Sequence, residues 1–346
     1  MTKRVLMQVG KTVLGVLLAG SVLAGAANSE ELIVYTAVEP EELTGFAKAV
    51  ETANPGLKIK WVRDSTGIMT AKLLAEGKNT QADIVWGLAA TSLLLLKEKG
   101  MLEPYAPKGV EKLDAKYKDP ANPPSWVGQR AWIASICFNT AEAKAKNLPA
   151  PTSWQDLTKP VYKGHIVMPN PASSGTGFLD VSSWIQMWGE DKAWKFMDGL
   201  HENVGIYTHS GSAPCKMAGK GEFAVGVSFA YKGAQMKAEG APLDVIAPSE
   251  GLGWDLESFG IVKGAKNMAA AKKMADWSVS LEANKIYNEA YAVVAYPGVA
   301  KPVKFFPENI DQKMIKNDFA WAASQREAIL KKWAERYGAK SEPKKN

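Results

Sequence analysis

An α/β architecture in two lobes follows from three features of this 346-residue chain. Short apolar runs rich in β-branched residues alternate with stretches of helical spacing between Leu32 and Gly100, the pattern of a mostly parallel sheet. A second set of the same kind resumes at Trp132. The chain is also long enough to bury two cores.

In the first set LIVYTA (32–37) is a strand, and EPEELTGFAKAVETAN is a helix with Leu43, Phe46, Ala47 and Val50 on one face. LKIKWV (57–62) alternates at period two as a strand does; DSTG then opens a helix carrying Met69, Leu73 and Leu74. ADIVWG (82–87) is a third strand and TSLLLLKEKG the helix after it. Residues 104–126, rich in Pro, Lys and Asp, read as irregular. WIASICFN (132–139) begins the second set, which continues through HIVMPNP, the helix of SSGTGFLDVSSWIQMW, VGIYTHSGS, the helix-like PCKMAGKG, FAVGVSFAY, PLDVIAP and WDLESFGIVKG. The helix AKNMAAAKKMADWSVS starts a return segment, and 318–336 form a charged amphipathic helix. The expected division is lobe 1 over 27–130 with about 258–302, lobe 2 over 131–257, and a C-terminal helical segment and tail over 303–346.

Residues 1–26 have the make-up of an export signal: Lys3, Arg4 and Lys11, the apolar run TVLGVLLAGSVL, then Ala24-Gly25-Ala26, predicting cleavage near Ala26. No later stretch is long and apolar enough to span a membrane. The formal charge of +6 sits at the ends, with +3 in residues 1–26 and +3 in 327–346. A neutral body disfavours nucleic-acid binding, which needs its excess cations on the folded surface. An exported chain meets oxidising conditions, where two cysteines pair, so Cys137 and Cys215 are expected to form a disulfide.

The run NPASSGTGFLD (170–180) places hydroxyls and glycines between a strand and a helix. A helix cap explains one hydroxyl. Three hydroxyls and two glycines in five residues exceed that need; free N–H groups, close approach at glycine and the positive helix end suit a phosphate-like anion. Asp64-Ser65-Thr66-Gly67 repeats the arrangement in the first lobe, so one ligand can be gripped from both sides. In open α/β sheets ligands lie at the carboxyl ends of strands, which adds Tyr35, Thr36 and Glu39, Trp86, and His209 in YTHSGS. Phe229, Tyr231 and Trp254 are placed to meet a ligand, and Glu39, Asp255 and Glu257 to receive a cation, with aromatic faces assisting. His165 and His201 read as surface residues. No H-x-x-x-H, C-x-x-C or aspartate cluster points to a metal, no Walker or dinucleotide fingerprint to a nucleotide cofactor, and G-x-S-x-G is not matched.

The phrases KWVRDSTGI, QADIVWGLAATSL, LEPYAPKG, SICFNT, PTSWQDLTKPVYKG, IVMPNPASSGTGFLDVSSW, THSGS, EGLGWDLE and IKNDFAWAA cover nearly the whole mature chain. In them the chain resembles the two-lobed type 2 periplasmic solute-binding proteins of ABC importers, in the branch with ferric-ion and polyamine binders, and more closely the subgroup that binds 2-aminoethylphosphonate. The resemblance implies a monomeric, non-enzymatic periplasmic protein that closes its lobes over a small ligand and delivers it to inner-membrane permease subunits. It implies that Ser65, Thr66, Ser173, Ser174, Gly175 and Thr176 hold the phosphonate. A carboxylate of Glu39, Asp255 or Glu257 holds the ammonium, and Tyr35, Trp86, Phe229 and Tyr231 wall the cleft. The ferric relatives bind iron through an adjacent tyrosine pair with a histidine and an acid. Here the comparable stretch is Ser228-Phe229-Ala230-Tyr231 and Glu39 stands about where the histidine would be, so neither iron nor a cofactor is expected. Phosphate, another organophosphonate or a polyamine remain as ligands, and a secreted phosphoester hydrolase as a different class.

Overall fold

The computed structural model describes residues 1, 2 and 30–343; the predicted cleavage site and nearly all of the export signal fall outside them. The chain opens with β1 (Glu30–Thr36), α1 (Pro40–Ala53), β2 (Leu57–Arg63), α2 (Thr66–Glu76), β3 (Ile84–Ala89), α3 (Ala90–Glu98) and the short β4 (Leu102–Glu103). Then come β5 (Val127–Asn139), α4 (Thr140–Lys146), β6 (Ile166–Pro169), α5 (Gly175–Trp188), α6 (Glu190–Asn203), β7 (Val204–Thr208), α7 (Ala213–Gly219), β8 (Val225–Phe229), α8 (Ala230–Ala238) and β9 (Leu243–Ile246). β10 (Trp254–Val262), α9 (Met268–Ser278), α10 (Leu281–Ala290) and α11 (Phe319–Tyr337) follow.

The strand order is β2-β1-β3-β10-β5-β8-β6-β7, with β4 also on β10 and β9 also on β5. β1 runs parallel to β2 and β3, and β6 runs parallel to β7 and β8; helical crossovers make such pairings possible. β5 belongs to both halves. Its residues Val127–Ile133 pair with β10 in the first, and Ala134–Asn139 pair with β8 and β9 in the second. This is the two-lobed type 2 periplasmic binding protein fold, with the lobes meeting along β5.

Covered on both faces, β3, β5 and β10 are buried at every residue. β3 is accordingly apolar throughout. β5 and β10 nevertheless contain Gln129, Arg130, Asp255 and Glu257, each of which needs a partner where water is absent. Those partners are what organise the cleft.

Four helices, α4, α6, α8 and α10, go beyond those the sequence patterning predicts. α6 buries Ala193, Trp194, Phe196, Met197 and Leu200 beneath an otherwise charged sequence. α8 begins at Ala230, where FAVGVSFAY reads as continuing strand, because Phe229 is the last residue to pair with β5. Cys137 of β5 and Cys215 of α7 form the expected disulfide, fully buried, with Gly233 of α8 against it: a Cβ there would lie 2.8 Å from the Cys137 sulfur. The bridge spans 78 residues. Replacing both cysteines by Ala is expected to lower unfolding stability in urea by roughly 4 kcal/mol, on the loop-closure estimate.

Candidate functional site

The loops after β1, β2, β6 and β7, with residues of β3, β5, β8 and β10, converge on a cavity of about 50 Å³. Its lining includes Glu39, Arg63, Ser65 and Thr66 from the first lobe and Ser174, Gly175, Thr176, Ser210, Gly211 and Phe229 from the second, with Trp132, Glu257 and Tyr291 between them.

Helices α2 and α5 point their N-termini into this cavity. Ser65 and Ser174 are their N-cap residues, and Ser174 Oγ accepts the Gly177 N–H at 3.2 Å. No acceptor among the described residues meets the amides of Thr66, Gly175 and Thr176, or the hydroxyls of Ser65, Thr66 and Thr176. Open donors at two positive helix ends make a candidate anion seat. The lobes touch beside it: Gly67 N–H donates to Ser173 O at 2.9 Å. Glycine is required here, since a Cβ on Gly67 would fall 2.1 Å from Ala172 O, and one on Gly175 would fall 2.7 Å from Thr66 Oγ1.

Arg63 adds a cation to the seat. Its Nε donates to Val38 O at 3.1 Å and its Nη2 lies 3.8 Å from Glu39. Glu39 also has Lys216 and Lys232 of the second lobe, each 3.4 Å away, and Lys232 pairs with Glu41 as well. Glu39 is thus already surrounded by cations.

Glu257 in the lining is held by Arg130, which is 1% exposed, donates Nε to Glu257 at 2.6 Å, and grips Glu42 with Nη1 and Nη2 at 2.7 and 2.9 Å. Its guanidinium lies 3.9 Å from the Tyr291 ring centre, and Tyr291 donates its hydroxyl to Glu257 at 3.1 Å. Two carboxylates share one guanidinium, so the cluster carries one surplus negative charge when both are ionised. Burial pushes the Glu257 carboxyl up to about 7, with Glu42 adding to the rise and Arg130 opposing it. A carboxylate has about four acceptor positions, so two remain on Glu257.

The sequence-derived residues divide clearly. Glu39, Ser65, Thr66, Ser174, Gly175, Thr176, Phe229 and Glu257 come together at the cavity. Thr36 and Ser173 lie outside its lining and support its loops: Thr36 Oγ1 accepts the Val38 N–H at 3.1 Å, and Ser173 Oγ donates to His209 O at 3.0 Å. Tyr35 points away, with its hydroxyl on Glu76 at 3.1 Å. Trp86 is core, stacked edge-on against Phe46 and bonded through Nε1 to Ser278. Trp254 donates to Ile315 O under the C-terminal segment. Asp255 accepts from the amides of Ala90 and Leu256 and the Thr91 hydroxyl, and so anchors the start of α3. Tyr231 stacks on the far side of Tyr291, at 4.8 Å, facing a larger open groove. His209 turns to the C-terminal tail: its N–H donates to Glu342 at 2.9 Å, and its ring Nε2 is 2.9 Å from Pro343 O. The side-chain directions of these residues are set by packing.

Arg63, Trp132, Ser210, Gly211 and Tyr291 were missed. Arg63 immediately precedes DSTG and SGS follows His209, so both carried a readable signal. Trp132 looks like any core aromatic, and Tyr291 lies far from the rest in sequence.

Residues 79–322 match the model of the family described as bacterial extracellular solute-binding protein. The chain belongs to that family. An uncharacterized protein of Haemophilus influenzae is 30% identical over 92% of this chain and 94% of its own length. A probable ABC transporter periplasmic-binding protein of Sinorhizobium fredii is 28% identical over 80% of this chain and 77% of its own. Among solved structures, the periplasmic binding protein AfuA of Actinobacillus pleuropneumoniae, with fructose-6-phosphate bound, superposes with a TM-score of 0.83 at 30% identity, covering 90% of this chain and 99% of that one. Solute-binding proteins of this family capture a ligand and carry out no chemistry on it.

The tail at 341–343 braces the anion loops of this solute-binding protein. Ser341 Oγ accepts from Asn170 at 3.0 Å, and Glu342 N–H donates to Tyr207 O at 2.8 Å while its carboxylate holds His209. Glu342→Ala is expected to raise amide exchange over residues 209–212 about tenfold, the equivalent of one net hydrogen bond, while the global urea midpoint stays in place.

Proposed function

We propose that this protein binds 2-aminoethylphosphonate in the interlobe cavity and delivers it to the permease of an ABC importer. The observation that carries this reading is the cavity's polarity over a short distance. Helix N-termini and Arg63 offer donors to a phosphonate, and Glu257, in the same lining, offers a carboxylate of the Glu42–Arg130–Glu257 cluster to an ammonium. Of the three acids considered from sequence, Glu257 is the ammonium partner: Glu39 is already met by three cations and Asp255 faces α3. Phe229, Trp132 and Tyr291 enclose the two-carbon link.

A second reading is a sugar phosphate, favoured by the fructose-6-phosphate bound to AfuA. Both ligands use the anion seat; the Glu257 carboxylate in the lining favours the one that carries an ammonium. Calorimetric titration with 2-aminoethylphosphonate, ethylphosphonate, phosphate and fructose-6-phosphate separates them. Tightest binding of the first is expected, with Glu257→Gln weakening it at least tenfold and leaving ethylphosphonate unchanged, since a charge-assisted hydrogen bond contributes about 1.5 to 3 kcal/mol. Preference for fructose-6-phosphate would sink the aminophosphonate reading. A raised Glu257 means that a proton competes with the ammonium. The advantage of 2-aminoethylphosphonate over ethylphosphonate is therefore expected to be full above pH 7 and to shrink as pH falls through about 7; ethylphosphonate cancels the titration of the phosphonate itself.

Hinge closure along β5 is the mechanism that accompanies binding. Gly67→Ala places a methyl against Ala172 O, so the ligand-saturated variant is expected to keep a larger radius of gyration by small-angle scattering than the unchanged protein. Its unfolding midpoint should not fall, because Ala is the better helix former. Equal radii would show that the Gly67–Ser173 contact does not limit closure.

A further inference from the structure

We propose that the indole N–H of Trp132 donates a hydrogen bond to the anionic group of the bound solute and so helps to select it. The inference rests on the cavity being the solute's seat and adds a recognition element to it. Trp132 lines the cavity and is 7% exposed, yet its Nε1 has no acceptor among the described residues. Three other tryptophans, Trp61, Trp126 and Trp277, also have unpaired indole nitrogens, but Trp132 alone of the four borders this cavity. An indole N–H is a donor only, and a buried donor left unpaired is costly.

The acceptors lining the cavity are met by other donors. Glu257 takes hydrogen bonds from Arg130 and Tyr291, Glu39 faces Arg63, Lys216 and Lys232, and Ser174 Oγ takes the Gly177 amide. None of these oxygens bonds the Trp132 indole, and a phosphonate or phosphate brings three acceptor oxygens to it. Trp132 also sits where β5 passes from one sheet to the other, opposite Asp255 on β10 and next to Ile133, the last residue to pair with β10. A ligand oxygen bound there contacts the strand about which the lobes meet.

The test is a titration of the ¹⁵N-labelled full chain, following indole N–H resonances, with Trp132→Phe to assign the peak and calorimetry on both proteins. The probes are 2-aminoethylphosphonate, ethylphosphonate, inorganic phosphate and fructose-6-phosphate. The Trp132 resonance is expected to move downfield with whichever probe binds, and Trp132→Phe to weaken that probe about tenfold at an unchanged urea midpoint. If phosphate or fructose-6-phosphate binds and moves the peak while 2-aminoethylphosphonate does not bind, Trp132 keeps its role and the aminophosphonate reading fails. A bound probe with an unmoved resonance and unchanged affinity in the variant overturns the donor role and leaves that reading standing. Binding of none of the four overturns both.

Discussion

The buried guanidinium of Arg130 is the constraint on which the cleft is built. A cation at the centre of a fully buried strand must be paired on all sides or it destabilises the fold. Arg130 meets this demand by drawing Glu42 from α1, Glu257 from β10 and the Tyr291 ring from the segment after α10 onto β5. Four segments distant in sequence are thereby held at one point. Because two acids answer one cation, the same arrangement gives the cleft a surplus negative charge when both acids are ionised.

The helix ends at the cavity have the reverse polarity for a different reason. Strand-to-helix turns in each lobe leave amides and hydroxyls without internal partners, and closing the lobes brings two such ends together. Their separation is controlled by backbone contact at Gly67 and Gly175, where a side chain would collide. Ion pairs from Lys216 and Lys232 to Glu39 and Glu41 cross the same gap. These pairs depend on the lobes being close, so interlobe electrostatics and the shape of the cavity are linked.

Outside the cleft, the C-terminal segment acts as a brace. α11 packs on α3 of the first lobe and α5 of the second. Arg326 of α11 lies over Phe178 of α5 at 4.4 Å, and Trp333 meets Tyr207 edge-on. The tail then secures the loops at Asn170 and His209. The C-terminal tail thus orders two of the loops beside the cavity.

The alternation of strands and helices, the glycine-hydroxyl helix starts and the disulfide partners were determined by the sequence alone, because each depends on residues close together or on a choice with one outcome. Ser65, Thr66, Ser174, Gly175 and Thr176 were legible for that reason: a helix N-terminus is a local object, and its donors point along its own axis. Only the tertiary structure decided which of the candidate side chains face the cavity. Tyr35, Trp86, Trp254, Asp255 and His209 occupy plausible positions but turn to Glu76, Ser278, Ile315, the start of α3 and the C-terminal tail. Side-chain direction in a buried strand is set by which neighbour satisfies its polar atom, and those neighbours lie from 41 to 192 residues away. Arg130, Trp132 and Tyr291 became part of the site for the same reason: it is the folding of distant segments onto β5 that gives them partners, or leaves one without any.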